Sequence, residues 1–342
     1  MSLPSDVTID AAKFHPSNID AGTEKILQIM QSMTEGAPKW YDVGAAKYRE
    51  MISSGKTQFP APPVDPNAQD SIIPSRDHNR HIPIRFYKPD NGKTSKGVYT
   101  FFHGGGFAFS SHLEQDMMLK RFANDYQLTT VSVGYRLAPE DPWPAGVHDC
   151  IDVAEYLVDH QDMFGAPLRA LGGESAGGNF AALATFQLMR SRPKHRLDAI
   201  LLINGMYDLT FNLPSTVAEV PSGVIDHKML EKFIEVYLPD MSMEKRRNPL
   251  ISPLYDDMPK LVRESPFHSL PPALFVVGTA DQLADDSLLM SLKWMASGSE
   301  AIISLYPGAP HMFGAFAGFK AADDAAAATA TFLKEKLGKV EA

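Results

Sequence analysis

One stretch near the middle of the chain constrains the fold more than any other. Ala170-Leu171-Gly172 ends an apolar run, Gly173-Glu174-Ser175-Ala176-Gly177 follows, and Phe180-Ala-Ala-Leu-Ala continues with helix formers. Strand, glycine-flanked serine and helix in direct succession mean a sharp strand-to-helix turn with the serine at its tip. Only small neighbours let such a turn pass close to adjacent backbone. A capping serine in an ordinary glycine turn would look similar, but the strand before it and the helix after it favour the nucleophile elbow.

The rest of the chain alternates in the same way. Strands are predicted at Asp70–Ser75, Ile82–Lys88, Gly97–Phe102, Thr129–Tyr135, Leu168–Gly172, Ala199–Asn204, Ala273–Gly278 and Ala301–Tyr306. Helices are predicted at Glu114–Tyr126, Gly146–Met163, Ala176–Ser191, Leu283–Ser297 and Phe313–Leu337. The later strands are apolar without alternation, as expected of a mostly parallel sheet covered by helices on both faces. Two regions depart from this rhythm. The first fifty-odd residues read as helical and end at Phe59–Pro66, where four prolines in eight residues make an extended linker. Residues Met206–Pro271 hold one expected helix, Lys228–Tyr237, in a connection far longer than two neighbouring strands need, which suits a lid or binding loop.

Composition removes several function classes. With 44% hydrophobic and 21% charged residues the chain is neither disordered nor fibrous, and one cysteine rules out a disulfide scaffold. A net charge of −9, with no basic run beyond Lys245-Arg246-Arg247, argues against nucleic acid. No apolar run reaches the roughly 18 residues of a membrane span, no secretory h-region is visible in Met1–Asp20, and the Lys-Val-Glu-Ala end is no targeting tail. A single cysteine and no signal point to the reducing cytoplasm.

A nucleophilic serine needs a base, and the base needs an orienting acid. Of the histidines well after Ser175, His227 and His268 fall in the long insertion, whereas His311 lies just past the last strand, where a loop reaches back over the serine. Asp281, after the strand ending at Gly278, is the expected acid. Asp208 is the alternative, and Asp285 and Asp286 come one helical turn later. His103-Gly-Gly-Gly106, directly after the third strand, offers free backbone N–H groups to an oxyanion. No cofactor is needed for such chemistry. A metal has little support, since there is one cysteine and no H-E-x-x-H spacing.

From Ile72 to Leu337 the chain resembles the hormone-sensitive-lipase-like, HGGG-type carboxylesterases of the α/β-hydrolase fold. The resemblance rests on His103-Gly-Gly-Gly-Phe107, Tyr135-Arg-Leu-Ala-Pro-Glu140, Pro144-Ala145 with Asp149, Gly173-Glu-Ser-Ala-Gly-Gly178, Asp281-Gln-Leu283 and His311-Met-Phe313. It implies an eight-stranded core with a helical cap. Residues 1–57 and 206–267 would be the two cap segments, and 67–205 and 268–342 the two parts of the core. It implies Ser175 as nucleophile, His311 as base, Asp281 as its partner, and the N–H groups of Gly105, Gly106 and Ala176 as the oxyanion hole. His103 would brace the glycine loop, and Arg136, Glu140 and Asp149 would hold the fold near the site. Glu174 stands where aspartate is more common, its extra methylene altering how it supports that loop.

The implied substrates are small-molecule esters of short to medium acyl chain. Phe107, Phe109, Tyr207, Met206, Met229 and Met241 are expected in an apolar pocket wall, although such residues equally suit a cap core. Amide or formamide cleavage by the same triad is an alternative, as is a hormone-receptor role, which this fold serves where the catalytic histidine is lost. The resemblance also implies a homodimer formed through the last strand, if that strand is a free sheet edge.

Overall fold

A computed structural model describes residues 7–218 and 223–338. The start of the first expected cap segment, residues 219–222 of the second, and the Lys339–Ala342 tail lie outside the described residues.

All eight expected strands form, as β1 (Gln69–Pro74), β2 (His81–Tyr87), β3 (Val98–Phe102), β4 (Thr129–Val133), β5 (Leu168–Glu174), β6 (Ala199–Ile203), β7 (Ala273–Gly278) and β8 (Ala301–Tyr306). They make one sheet in the order β1-β2-β4-β3-β5-β6-β7-β8. β1 and β2 pair antiparallel, β2 runs antiparallel to β4, and every later pairing is parallel. Every residue of β3, β4 and β7 is buried, which explains the unbroken apolar run of β7; β3 and β4 bury Thr100, Thr129, Thr130 and Ser132 beside their apolar residues. β8 closes one side of the sheet as an edge strand and exposes Ile302.

The helices are α1 (Ala21–Thr34), α2 (Trp40–Val43), α3 (Ala45–Ser53), α4 (Asp116–Tyr126), α5 (Ala145–Asp159), α6 (Ala176–Ser191), α7 (Pro214–Val217), α8 (His227–Tyr237), α9 (Met243–Arg246), α10 (Met258–Glu264), α11 (Ala284–Ala296) and α12 (Lys320–Leu337). Two buried clusters sandwich the sheet. One gathers Cys150 and Ile151 of α5, Phe180 and Phe186 of α6, and Trp294 of α11; the other gathers Ile26 and Met30 of α1, Phe122 of α4 and Phe332 of α12. The order of strand addition reverses between the neighbouring strands β3 and β5, and the loops at the carboxyl ends of the central strands converge there.

Three expectations need correction. The final helix begins at Lys320, not Phe313: residues 313–315 form only a 3-10 turn, and Gly318, at φ 90°, ends the loop that follows. The N-terminal helical stretch is broken into α1, α2 and α3, because Gly36 and Gly44 take left-handed backbone (φ 69° and 89°). Among its described residues the insertion holds four α-helices, α7 to α10, rather than one. α8 starts at His227, capped by Asp226, whose carboxylate accepts from Met229 N at 2.7 Å.

The chain leaving the proline-rich linker is pinned by a buried ion network. Asp116, fully buried at the start of α4, accepts from Arg85 Nε at 2.7 Å, Arg85 Nη2 at 2.9 Å and Asp65 N at 2.7 Å. Asp70 takes Arg85 Nη1 at 2.9 Å. These contacts raise the Arg85 pKa still further above its ordinary value. Removing one partner strands the other's charge in the interior, which costs about 3–5 kcal/mol. Asp116→Ala is therefore expected to lower the urea unfolding free energy by that amount; a midpoint matching wild type would refute the assignment.

Candidate active site

The elbow forms where β5 meets α6. Ser175 sits at φ 55° and ψ −119°, a conformation non-glycine residues rarely hold and one costing about 1–3 kcal/mol. Its surroundings impose it: Ser175 N donates to Ile203 O at 2.9 Å, and Met206 N donates to Ser175 O at 3.3 Å. The flanking glycines are required by backbone contact. A Cβ on Gly173 would lie 2.0 Å from Gly177 O, and one on Gly177 would lie 1.9 Å from Phe102 O.

The glycine loop leaves β3 beside this turn. Gly105 is at φ 108°, and its carbonyl accepts from Phe109 N at 2.8 Å, folding the loop back on itself. Among the described residues the backbone N–H groups of Gly105, Gly106 and Ala176 donate no hydrogen bond, and all three residues line one cavity with Ser175. His103 is buried with its ring stacked on Tyr135 at 4.1 Å; its Nδ1 donates to Gly104 O at 2.8 Å. The Tyr135 hydroxyl donates to His103 O at 2.7 Å. Burial pushes the His103 pKa down to about 3, so the ring is neutral.

The two loops after β7 and β8 bring Asp281 and His311 together. His311 Nδ1 donates to Asp281 Oδ2 at 2.8 Å, with both side chains almost wholly buried. Asp281 Oδ1 meanwhile accepts from Leu283 N at 2.8 Å, so the residue also caps the turn before α11. Burial lowers the imidazolium pKa, but the Asp281 charge and hydrogen bond, joined by the Glu174 charge, outweigh it and leave His311 above its ordinary 6.5. Among the described residues the Ser175 hydroxyl forms no hydrogen bond, to His311 or to any other group, although both line the same cavity. Nucleophile–base bonds commonly close only once substrate is in place.

Asp208 is not brought to the histidine. Its carboxylate accepts from Thr210 N at 2.8 Å, Thr210 Oγ1 and the Tyr255 hydroxyl. Asp286 accepts from Tyr207 N and Asp208 N. His227 lies against Phe211, and neither it nor His268 reaches the cavity. Below the site, Asp149 accepts from Arg136 N at 2.9 Å and takes both Arg80 and Arg136 guanidinium groups, fixing the strand-end segment that begins at Tyr135. Glu140 instead holds Arg49 of α3, whose Nη1 donates to Ala108 O at 2.8 Å.

The cavity measures about 390 Å³. Phe107 and Phe109 line it, Phe107 stacked on Tyr237 at 4.0 Å and Phe109 edge-on to Trp40 at 5.0 Å. Met206 and Met229 line it too, whereas Met241 does not. Tyr207 is a correction: it is fully buried in the core, edge-on to Phe275, and is no part of the wall. Glu174 lines the cavity too, with its pKa raised by burial; its backbone packs against Gly104, and among the described residues its side chain makes no hydrogen bond to the glycine loop. Other lining residues escaped the sequence reading: Tyr48 and Ile52 of α3, Phe59 of the linker, and Glu114. An aromatic residue inside a proline-rich linker was the only sign of Phe59.

Comparison with known proteins agrees with this fold. Residues 99–315 match the family described as alpha/beta hydrolase fold, and the chain belongs to that family, in its hormone-sensitive-lipase-like branch. It is 29% identical over 242 residues to carboxylesterase NlhH of Mycobacterium tuberculosis, covering 69% of this chain and 72% of that one. It is 28% identical over 321 residues to an AB hydrolase superfamily protein of Schizosaccharomyces pombe, covering 88% and 84%. Among solved structures, a hyperthermophilic esterase from Pyrobaculum calidifontis superposes with a TM-score of 0.74 at 27% identity, over 91% of this chain and 97% of that one.

Proposed function

We propose that this protein hydrolyses small-molecule carboxylic esters of short to medium acyl chain, with Ser175, His311 and Asp281 as its triad. The observation that carries the reading is the buried 2.8 Å His311–Asp281 bond facing the cavity that also holds the strained Ser175 turn.

His311 Nδ1 is committed to Asp281, which leaves Nε2 to take the Ser175 proton as Oγ attacks the ester carbonyl carbon. The negative oxygen of the tetrahedral intermediate is received by the unpaired N–H groups of Gly105, Gly106 and Ala176. His311 returns the proton to the departing alcohol. Water then attacks the acyl-serine by the same route and releases the acid. The neutral, stacked His103 keeps the glycine loop in shape without exchanging protons. The segments up to residue 57 and from 206 to 267 act as a cap whose side chains set acyl and alcohol preference. The exposed β8 edge suits pairing with a second copy. Cys150, buried in α5 with its thiol pKa pushed well up, suits a cytoplasmic setting.

The pH profile tests this. His311 must be neutral to act as base, so kcat/KM of a neutral acetate ester should fall as pH drops through a value above 6.5. Asp281→Asn removes what holds that value up. It should shift the inflection downward and lower kcat by about 10³–10⁴-fold. Turnover with a profile indifferent to Asp281→Asn would overturn the assignment.

A further inference from the structure

We infer that the cavity selects esters bearing a cationic group on an otherwise apolar frame, and that Glu114 is the residue that reads the charge. The inference rests on the esterase reading above and names its substrate class.

Most buried carboxylates in this protein face a cation: Asp149 meets Arg80 and Arg136, Asp116 meets Arg85, and Asp256 meets Arg190. Asp208 and Asp286 lack one, but they take backbone N–H donors and lie away from the cavity. Glu114 and Glu174 differ from both groups. Both line the cavity, and among the described residues neither has an ion-pair partner. Among the described residues no lysine or arginine lines the cavity, and the one basic side chain there is His311, already engaged by Asp281.

Glu114 is held in place. It accepts from Ser110 Oγ at 2.6 Å and Ser111 Oγ at 3.3 Å, with Ser110 kept in left-handed backbone at φ 63°. Burial raises its pKa against the pull of those two hydroxyls. Glu174, enclosed beside the nucleophile, has no hydrogen-bond donor among the described residues. Both carboxyls are half-buried against an apolar wall, where an ionised carboxylate without a counter-charge is costly, and a cation entering the cavity lowers that cost. Around them Tyr48, Phe59, Phe109 and Phe233 form an apolar wall. Such a wall lowers the local dielectric and offers ring faces to a cation. A carboxylate on the substrate would meet two like charges and no partner.

The test uses three acetates of matched size and reach: 3,3-dimethylbutyl acetate, its trimethylammonium counterpart, and a counterpart ending in carboxylate. A matching series carries the charge on the acyl half. In one of the two series wild type should prefer the cationic ester over the neutral one by about tenfold in kcat/KM, and the anionic ester should fall about tenfold below it. Glu114→Gln should bring the cation-to-neutral ratio close to one; being a ratio within one variant, it is insensitive to losses in folded fraction. In wild type, a trimethylammonium alcohol should inhibit about tenfold better than 3,3-dimethylbutanol. Equal handling of cationic and neutral esters in both series, or a preference that survives Glu114→Gln, overturns the inference and leaves the esterase reading standing. If no ester is turned over, the esterase reading fails instead, and the two alcohols, compared by direct binding, still decide the charge preference.

Discussion

Ser175→Ala should abolish nearly all ester hydrolysis, lowering kcat by about 10⁴-fold or more while leaving the fold intact. The expectation follows from the division of labour at the elbow. Loss of Oγ removes the only atom placed to form the acyl-enzyme, yet the N–H donors of Gly105, Gly106 and Ala176 remain to polarise a bound carbonyl. Residual turnover should therefore sit above the rate in water but show no burst of released alcohol. An alkylphosphonate probe should attach to one serine of the wild-type enzyme, recovered on the peptide carrying residue 175, and should not label the variant. Hydrolysis persisting undiminished would end the serine mechanism. The variant's thermal midpoint should match wild type, because alanine keeps the same Cβ at the strained turn and the lost Oγ makes no hydrogen bond among the described residues.

Gly177→Ala should have the largest effect on stability. The added Cβ would sit 1.9 Å from Phe102 O and 2.5 Å from His103 O. Both obstacles are backbone, and both belong to the stretch joining β3 to the glycine loop, so no side-chain rotation relieves the clash. Either α6 lifts from the sheet or the loop is displaced. The expected loss is about 4 kcal/mol or more, in the range reserved for disrupted cores and forced backbone. It should be read as a fall in the urea midpoint together with lost activity in whatever fraction still folds. A variant as stable as wild type would show that the elbow does not press against β3 as described.

The sheet was legible because its strands carry a local signal. β3 and β7 are buried on both faces and mostly apolar, β4 is rich in the β-branched residues Thr129, Thr130, Val131 and Val133, and all eight strands can be placed from sequence within a few residues. α6 is legible to the residue, since the elbow marks its start. The triad candidates were legible by order along the chain, each following the end of a strand. The cavity walls were not. Tyr48, Phe59, Glu114 and Phe233 come from four separated stretches, and nothing local to any of them says that they meet. Tyr207 shows the converse error. An aromatic next to a strand end looks like a pocket residue, but its ring turns inward beside Phe275 and leaves the wall to Met206.

The contacts that close the cavity join distant parts of the chain. Trp40 stacks on Phe233 at 5.0 Å and meets Phe109 edge-on at the same distance, while Arg49 ties α3 to Ala108 and Glu140. Each of these pairings closes a long loop, and the entropy of closing it must be lost before the contact returns anything. The pairings of the central sheet span comparable lengths of chain, with Phe101 beside Gly172 and Leu201 beside Leu274. Floor and walls are thus held by separate long-range closures, and loosening the contacts of Trp40 or Arg49 would open the chamber while leaving the β5–α6 turn that carries Ser175 in place.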